Sequence, residues 1–490
     1  MGRKSAMFFA CFFLFCPSLW AQENITHSIV KIYTTYNQPS YSRPWQMLGQ
    51  DTRTGSGCII DGSRILTNAH VVSDHTFIRV RRAGKADKYV AFLEAISHEL
   101  DLAVLKVKDK AFFRGARPLE VGRLLRVGDR VTAYGFPRGG TRITITKGVV
   151  SRIDRRQYAH TRFSNLVCQI DAAINPGSSG GPVISQGKIA GVSFQSTSGQ
   201  NIGYMVPAPV ILHFFQDLED GKHDGVPGLP IVWQNLENPQ IRSYYGMAQD
   251  HSGILVTEVS PRFLDEKMLT PGDIMIAIDG FDVANDGTIL FREGERISLG
   301  YAIDRKQVGQ RIGMTVLRKG RVLSLLIPLH SPKVTYGYLI PRVRYETLPT
   351  YYTIGGLVFS PLTTNYLKIW KKWSKVPPRL KGYYYEITTK ENQQRKDVVV
   401  LIDVLPDEVN VGYIDFEDSV VSKVNGKTIN GMQDLVEAFE GEGKGDHHRI
   451  ILEPYGREIL LSRELSRKRG PMILKKYKVT ADRSMDLREP

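Results

Sequence analysis

The sequence INPGSSGGPV, Ile174 to Val183, places two serines in a glycine-rich turn directly before a short apolar strand. It lies within a longer region, Ser28 to Pro207, in which short apolar segments alternate with glycine-rich turns and clear helical periodicity is missing. The predicted strands are SIVKIY, CII, RILT, TFIRV, YVAFLEAI, LAVLKV, RVTAYG, TITKGVVSRI, LVCQI, PVIS, KIAGVSF and GYMV. About a dozen short strands with regular turn signals predict an all-β sandwich or barrel.

Two further segments supply partners for a serine in this turn. LTNAHVV places His70 directly after a strand, and ELDLAVLKV places Asp101 at the start of another. With Ser179 as nucleophile the chain order is His, Asp, Ser, which is that of the chymotrypsin fold and differs from that of subtilisins and α/β-hydrolases. The three segments predict a chymotrypsin-like double β-barrel with His70, Asp101 and Ser179 as its catalytic residues.

The residue types suit acyl transfer. A serine hydroxyl is a weak nucleophile at neutral pH and needs a base such as imidazole, which can later protonate the leaving amine. A carboxylate on the far ring nitrogen fixes the tautomer. The oxyanion of the tetrahedral intermediate needs converging backbone donors, and Gly177 permits the tight turn that this requires, so we expect the N–H groups of Gly177 and Ser179 to form the oxyanion hole.

Each segment by itself has a simpler interpretation. A histidine beside a strand is often structural, a DLA triplet occurs by chance in many proteins, and PGSSGGP reads equally well as an ordinary turn. The combination of all three, in this order and within one all-β region, favours the catalytic interpretation.

The N-terminus resembles an export signal. Arg3 and Lys4 precede the apolar run AMFFACFFLFC, Ala6 to Cys16, and Ala21 offers a small residue for cleavage. This pattern predicts a signal peptide over residues 1–21, hence an exported protein without an integral membrane span after its removal. The run is too short to cross the roughly 30 Å hydrocarbon core as a helix. The alternative, a buried N-terminal helix, fits less well because the run is apolar on every face.

The second half reads as two related α+β modules. A helix, APVILHFFQDLED from Ala208 to Asp220, and a Gly/Pro-rich linker, Gly221 to Pro230, separate them from the β region. IDGFDV corresponds to VNGKTI, and RKGRVLSL corresponds to PYGREILL; each is a strand, a turn and a returning strand. The predicted boundaries are residues 22–222 for the protease, 223–335 for the first module, and 336–490 for the second module with a C-terminal extension.

These segments resemble the HtrA/Deg family of ATP-independent serine proteases. The resemblance is carried by GSGCIID, ILTNAHVV, DLAVL, GFP, GVVS, QIDAAINPGSSGGPV and GYMVPA, and in the second half by GDIMIAIDGFDVANDGTILFR, GGLVFSPL, LPDEVNVGY and ILKKYKVTADRSMDL. It implies a trypsin-like double barrel followed by two divergent PDZ modules, as in plant-type Deg proteases. The family usually has Asn before the nucleophile, where this chain has Ser178; the motif register gives Ser179 as the nucleophile and leaves Ser178 as the alternative.

The resemblance also implies finer features. An apolar specificity pocket would be formed near Ile174, Phe194 and Gln195, with preference for an aliphatic or small side chain. A PDZ loop that binds a peptide carboxylate would lie at Gly253, Ile254 and Leu255, although such modules also serve assembly or linkage. Loops expected to order the site when ligand is sensed are Pro137 to Ile145, Arg155 to Asn165 and Gln195 to Ile202.

Other features exclude several function classes. The chain has no HExxH motif, no paired cysteine motif and no P-loop, so we expect no metal and no other cofactor. The net charge is +15 and the densest basic stretch is Ser466 to Lys478; it has one aromatic residue and no nucleic-acid motif, which indicates a solvated surface and no nucleic-acid partner. Cys58 and Cys168 remain after signal removal, as two buried apolar groups or as a single disulfide bridge.

The sequence therefore predicts an exported endopeptidase of the cell envelope or periplasm, free, secreted or peripherally bound to a membrane. Its expected partners are unfolded polypeptides and exposed peptide C-termini, and the resemblance implies a homo-oligomer built from trimers or larger units. Two alternatives stay open: a chaperone or scaffold that binds unfolded chains with little cleavage, and a dedicated processing protease or virulence factor.

Overall fold

The structure is a computed structural model of the chain. It describes residues 25–197, 202–229, 231–248, 250–260, 268–331, 338–386, 392–441 and 445–488. The predicted signal peptide lies outside these residues.

Twelve strands form two closed six-stranded barrels, which confirms the predicted chymotrypsin-like double barrel. The first barrel has the order β1-β2-β3-β6-β5-β4 and the second has the order β10-β11-β12-β9-β8-β7. The strands are β1 (Ile29–Pro39), β2 (Met47–Ile60), β3 (Arg64–Thr67), β4 (His75–Arg82), β5 (Tyr89–Ser97), β6 (Leu102–Val107), β7 (Arg130–Gly135), β8 (Thr144–Gln157), β9 (Ser164–Ile170), β10 (Pro182–Ser185), β11 (Lys188–Thr197) and β12 (Ile202–Pro207).

Each barrel has its own apolar interior. In the first, inward-facing residues such as Val30, Ile32 and Ile65 are fully buried. In the second, Val150, Ile170 and Val183 play the same part. Because side chains of a strand alternate between its two faces, closing each sheet on itself buries one face and leaves the other for contacts between the barrels and with the rest of the chain.

Two helices accompany the barrels. Helix α1 (Ala69–Val72) is one short turn after β3, and helix α2 (Ala208–Asp217) follows β12. Helix α2 begins at the predicted residue and ends three residues before Asp220; its buried face consists of Ala208, Val210, Ile211 and Phe214.

The first module after the barrels is built on a sheet of order β13-β14-β15-β19-β20, with β16 paired to β15, and a separate hairpin β17-β18. Its elements are β13 (Ile231–Asn235), α3 (Pro239–Tyr244), β14 (Ile254–Val259), β15 (Ile274–Ile278), β16 (Phe281–Asp282), β17 (Thr288–Arg292), β18 (Glu295–Ser298), α4 (Gly300–Asp304), β19 (Arg311–Arg318) and β20 (Arg321–Pro328).

The second module has a sheet of order β21-β22-β23-β24-β26-β27, with β25 paired to β24. Its elements are β21 (Tyr352–Ile354), β22 (Leu357–Pro361), α5 (Thr364–Leu367), α6 (Pro378–Tyr385), β23 (Val399–Val404), β24 (Ser419–Val424), β25 (Lys427–Thr428), α7 (Met432–Glu440), β26 (His447–Glu453), β27 (Arg457–Ser462) and α8 (Arg463–Lys476). The hairpins β15-β16 and β24-β25 hold the corresponding segments IDGFDV and VNGKTI, and β19-β20 corresponds to β26-β27.

The basic stretch near the C-terminus has mostly exposed charged side chains, as its interpretation as a solvated surface predicts, but its helical structure was not predicted. Most of it belongs to helix α8, which begins after Ser462, whose side chain accepts a hydrogen bond from the N–H of Leu465. Ser466 and Ile473 of this helix are buried against the second module. The polar composition and the internal Pro471 conceal the helix in the sequence, because neither gives a helical hydrophobic pattern.

The second module also packs against the protease part. Tyr41 and Trp45, from the connection between β1 and β2, pack on its core, and the rings of Trp45 and Tyr351 lie 5.8 Å apart. Within the described part of the chain no helix is long and apolar enough to cross a membrane. Cys58 and Cys168 are both free and buried, in the first and second barrel respectively, so the bridge considered above does not form.

Candidate active site

The pairing of two strands brings His70 and Asp101 together. His70 lies on α1 directly after β3, and Asp101 directly precedes β6; β3 and β6 are antiparallel neighbours with Thr67 opposite Ala103. The carboxylate Oδ2 of Asp101 lies 2.8 Å from Nδ1 of His70, and its Oδ1 accepts a hydrogen bond from the backbone N–H of His70 at 2.9 Å. Two contacts from one carboxylate fix both the ring and the backbone of the histidine.

Asp101 is held in an uncommon environment for a carboxylate. Its side chain is 1% exposed and its backbone is in the left-handed region, with φ of 51°. Burial alone would raise the pKa of Asp101, but the charge and hydrogen bonds of His70 outweigh burial and hold that pKa below its ordinary value. The amide of Asn68 donates to the backbone carbonyl of Asp101 at 2.7 Å. Asp101 is thus an ionised group with a fixed orientation.

Ser179 comes from the second barrel, in the turn that precedes β10, and contacts between the barrels locate it. The backbone N–H of Ser56 donates to the carbonyl of Ser179 at 2.8 Å. The hydroxyl Oγ of Ser179 donates to the carbonyl of Phe194 at 3.4 Å, and among the described residues it makes no hydrogen bond to His70. In this structure the Ser179 hydroxyl is therefore paired with the carbonyl of Phe194.

The turn before Ser179 has the geometry of a type II turn. The N–H of Ser178 donates to the carbonyl of Asn175 at 2.9 Å, Pro176 follows Asn175, and Gly177 has a φ of 95°. A Cβ at Gly177 would lie 2.6 Å from the backbone N of Arg138 and 2.7 Å from the carbonyl O of Phe136, so only glycine fits. In the described residues, the N–H groups of Gly177 and Ser179 donate to no other protein group. They remain available for an oxyanion.

Comparison with known proteins places this geometry in a family. Residues 55–192 match the trypsin-like peptidase domain and residues 340–486 match the PDZ domain. The chain is 38% identical over 433 residues to "Protease Do-like 4, mitochondrial" of Arabidopsis thaliana, an alignment that covers 86% of this chain and 79% of that protein. It is 37% identical to "Protease Do-like 2, chloroplastic" of the same plant, with 97% of this chain and 77% of the relative covered.

The chain belongs to the HtrA/Deg family of serine proteases. Among solved structures, a variant of the HtrA-type protease AlgW with a decapeptide matches with a TM-score of 0.51 and 26% identity, covering 64% of this chain and 96% of that one. The resemblance predicted from the sequence motifs is confirmed.

The three residues predicted to form the specificity pocket of this HtrA/Deg protease differ from one another in their contacts. Ile174 is 7% exposed and packs in the core of the second barrel, where a Cβ at Gly203 would lie 2.4 Å from Cγ1 of Ile174. The ring of Phe194 lies 4.7 Å from that of Tyr158, and its carbonyl accepts the Ser179 hydroxyl. The backbone of Gln195 pairs with Tyr204, while its side chain lies outside the described part. The substrate preference stays a prediction.

Of the residues predicted for the PDZ carboxylate loop, Ile254 and Leu255 lie on the interior strand β14, and Gly253 directly precedes it. Ile254 and Leu255 pair with β13 on one side and with β15 on the other, and the N–H of Gly253 donates to the side chain of Asn285 at 3.1 Å. Their backbone groups are therefore engaged within the sheet. The sheet order leaves β13 and β20 as the two edge strands of this module. Of these, β13 is the one that lies beside Ile254 and Leu255.

The second module differs at the corresponding edge. β21 pairs antiparallel with β22, with Tyr352 opposite Phe359. The ring of Tyr352 stacks on that of Phe439 from α7 at 5.9 Å. A segment of the chain itself therefore covers the edge of β22 where a peptide strand would add.

Several residues of the site were missed from the sequence. Ser56 donates through Oγ to the carbonyl of Gly177 at 2.9 Å and accepts from the N–H of Phe136 at 2.8 Å, and it is fully buried. Its only sequence signal is its place in GSGCIID. His98 and His160 lie near the catalytic pair, with the rings of His160 and His70 6.1 Å apart. No local sequence pattern indicates either histidine, because only the tertiary structure brings them close to His70.

The predicted loop Arg155 to Asn165 contacts both modules. Arg155 forms a bidentate ion pair with Asp304 of α4, with Nε–Oδ2 at 2.8 Å and Nη2–Oδ1 at 3.1 Å. Arg162 donates to the hydroxyl of Tyr384 in α6 at 3.2 Å. These contacts give the loop a physical connection to the rest of the chain, and its role in ordering the site remains a prediction.

Proposed function

We propose that this protein is an exported, ATP-independent serine endopeptidase that degrades unfolded or misfolded proteins through a Ser179-His70-Asp101 acyl-enzyme mechanism. The observation that carries the proposal is the combination of the Asp101–His70 pair with two unengaged backbone donors, Gly177 and Ser179. A carboxylate-oriented imidazole beside a serine with oxyanion donors has the parts that amide hydrolysis needs.

The reaction begins with rotation of the Ser179 hydroxyl from Phe194 toward His70. The imidazole takes the hydroxyl proton as Oγ attacks the scissile carbonyl carbon, and the N–H groups of Gly177 and Ser179 donate to the oxyanion that forms. Asp101 stabilises the imidazolium and stays ionised. His70 then protonates the leaving amine, and water activated by the same imidazole hydrolyses the acyl-enzyme.

The substrate class follows from the accompanying modules. A protease groove accepts extended chain, and a PDZ module captures an extended peptide by strand addition. In the first module β13 is the edge strand next to β14, and its own residues Val232 and Trp233 are exposed. We propose that exposed C-termini of unfolded polypeptides add to this edge and deliver the chain to Ser179, and that the protein acts as a homo-oligomer.

The proposed location rests on the apolar N-terminal run, Ala6 to Cys16. The names of the Arabidopsis relatives include the words mitochondrial or chloroplastic. The test of location must therefore distinguish export from the cell from targeting to an organelle. Fractionation of the producing cell, with N-terminal sequencing of the mature protein, should recover a chain that begins at Gln22 in the periplasm, the cell envelope or the medium. An organellar or cytosolic chain would contradict export.

The function is tested with unfolded casein and a serine-reactive phosphonate. We expect cleavage and labelling of the parent, loss of both in Ser179→Ala, and retention in Ser178→Ala. Ser178 is a matched control, since it is 8% exposed and packs against Gly135, where a Cβ would lie 2.8 Å from that of Ser178. Labelling that survives Ser179→Ala and disappears in Ser178→Ala would make Ser178 the nucleophile.

Two other functions predict different results in the same assays. A chaperone or scaffold would suppress aggregation of unfolded proteins without cleaving them. A processing protease or virulence factor would leave casein intact and cleave one target at one site.

A further inference from the structure

Two residues from the segment before β21, Tyr345 and Glu346, contact the catalytic region of the protease. We call them the catalytic strap. Glu346 is 272 residues from Asp74 and 248 residues from His98 along the chain, yet it hydrogen-bonds to both. The strap belongs to the C-terminal half of the protein and reaches the two loops that carry His70 and Asp101.

The first contact is with the loop after His70. Asp74 closely follows helix α1, and its backbone N–H donates to Oε1 of Glu346 at 2.9 Å. In return the backbone N–H of Glu346 donates to Oδ1 of Asp74 at 2.9 Å. The other carboxylate oxygen of Asp74 accepts from the side chain of Gln38 at 2.8 Å. This reciprocal pair fixes the end of the turn on which His70 stands.

The second contact is with the loop before Asp101. Oε2 of Glu346 lies 2.8 Å from Nε2 of His98, and the carbonyl of His98 accepts from the N–H of Asp101 at 3.1 Å. One glutamate therefore joins the histidine loop to the aspartate loop. Burial would raise the pKa of Glu346, but the hydrogen bond from His98 holds that pKa below its ordinary value, so the carboxylate is ionised at neutral pH.

Tyr345 adds a layer of rings next to the catalytic histidine. Its ring stacks on His160 at 4.2 Å and on His98 at 4.4 Å, and its hydroxyl donates to the carbonyl of His160 at 2.8 Å. Nδ1 of His98 lies 2.9 Å from Nε2 of His160. Nε2 of His98 donates to the Glu346 carboxylate, so Nδ1 of His98 can accept the N–H of a neutral His160. Each ring nitrogen in these contacts is therefore either a donor facing an acceptor or an acceptor facing a donor.

Three residues of the strap and of the loops that it contacts have left-handed backbone conformations. Glu346, Asp74 and Asp101 are all left-handed, with φ of 51°, 54° and 51°. Each such conformation is costly for a residue with a side chain, and such residues cluster at functional sites. The hydrogen bonds between Glu346 and its two partners hold these conformations in place.

We infer that Glu346 is a positioning residue for the catalytic pair, and that protease activity in this chain depends on the strap from its C-terminal half. The inference rests on the proposed function, since it concerns the geometry of His70 and Asp101. Glu346 acts through the two loops and does not touch the reacting atoms. Freeing the loops misplaces the base relative to Ser179, which lowers the rate of the chemical step and leaves substrate capture unchanged.

The test uses the full chain with three variants. Glu346→Gly removes the carboxylate but suits the left-handed backbone, Glu346→Gln keeps the shape and loses the charge, and Tyr345→Phe keeps the stack and loses the hydroxyl. The control is Glu408→Gln, an exposed glutamate of the second module that pairs with Arg469. The measurements are kcat and KM on fluorescent casein, the rate of phosphonate labelling at Ser179, and the melting temperature.

We expect Glu346→Gly to lower kcat and the labelling rate by about 10- to 100-fold, with KM within about twofold. The melting temperature should fall modestly, because the N–H of Asp74 and the ring of His98 lose their acceptor, while the protein stays folded in the assay. Glu346→Gln should fall between this variant and the parent, and Glu408→Gln should match the parent. The inference would be overturned if the Glu346→Gly variant were labelled and cleaved casein at the parent rate or faster. A parent that is not labelled at Ser179 would instead overturn the proposed function, so the two failures are distinguishable.

Discussion

The carboxylate of Asp101 contacts His70 twice, through Oδ2 to ring Nδ1 at 2.8 Å and through Oδ1 to the backbone N–H at 2.9 Å. The first contact sets the tautomer that leaves Nε2 free to accept a proton. The second fixes the position of the histidine main chain. A single buried carboxylate thus orients both the ring and the main chain of His70.

Asp101→Asn should separate these two roles. An amide at this position can still accept the backbone N–H of His70, and Asn tolerates a φ of 51° better than most residues. It cannot hold the required tautomer, so we expect kcat/KM on casein to fall by about 10,000-fold, as such replacements do in serine proteases, while the protein still folds. Asp87→Asn, at an exposed turn, is the matched control. Activity of Asp101→Asn within tenfold of the parent would exclude the proposed role.

Gly177→Ala tests the oxyanion hole. The new Cβ would lie 2.6 Å from the backbone N of Arg138, so the turn must shift and its N–H donors with it. We expect kcat to fall by about 100- to 1,000-fold, the usual cost of one lost oxyanion donor, with KM little changed. Gly187→Ala is a close control, because Gly187 also has a positive φ, of 78°, and a Cβ there would meet nothing within 4 Å. Equal kcat values for the two variants would remove Gly177 from the mechanism.

The barrels and the proximity of His70 to Asp101 could be predicted because their signals are local. Short apolar strands between glycine-rich turns gave the twelve barrel strands, and the segments around His70, Asp101 and Ser179 gave the candidate site. The length of the first hairpin was missed: β2 runs from Met47, yet its first six residues are exposed and carry no alternating apolar pattern. Its pairing with β1, from Ile29 opposite Cys58 to Pro39 opposite Met47, comes from the register of the whole hairpin.

The contacts that tune the site could not be predicted because they depend on tertiary structure. Glu346 meets Asp74 across 272 residues, and no spacing in the sequence records this. The edge strands of the first module are likewise set by sheet order: Ile254 and Leu255 follow a glycine, as the predicted loop does, but β13 pairs with β14 and makes it an interior strand.

Ser56→Ala should weaken the connection between the two barrels at the nucleophile. The buried hydroxyl donates to the carbonyl of Gly177 and accepts from the N–H of Phe136. Its removal leaves both backbone groups unsatisfied, which costs about 1–3 kcal/mol in the free energy of unfolding, measured by urea titration. Because the N–H of Gly177 is a proposed oxyanion donor, we expect kcat to fall as well.

The control for Ser56→Ala is Ser185→Ala. The hydroxyl of Ser185 also donates to a backbone carbonyl, that of Arg130 at 2.9 Å, but it lies near the surface, where water can replace it. Ser185→Ala should leave kcat unchanged and stability nearly so. Equal losses in the two variants would mean that the bridge at Ser56 has no special effect on the site.

His160 should make the protease lose stability in mild acid. Burial lowers the pKa of His160 from 6.5 to about 3, with the neighbouring His70 and His98 also lowering it and Asp101 opposing them. Between pH 6.5 and about 3, the unfolded chain therefore binds a proton at this position that the folded chain does not. Stability falls as pH decreases through this window, by at most about 1.4 kcal/mol per pH unit for one proton.

His160→Gln removes this proton and tests the effect. The measurement is the urea midpoint at several pH values between 6.5 and 4.5, for the parent and the variant side by side, because both chains share the same carboxylates. The variant starts less stable at pH 7, because it loses the stack with Tyr345, but its midpoint should depend less on pH than that of the parent. His447→Gln, at an exposed position, should retain the parent dependence. If the urea midpoints of the parent and of His160→Gln changed with pH in parallel, His160 would have the same pKa in the folded and the unfolded chain. That result would contradict the effect of burial on this histidine.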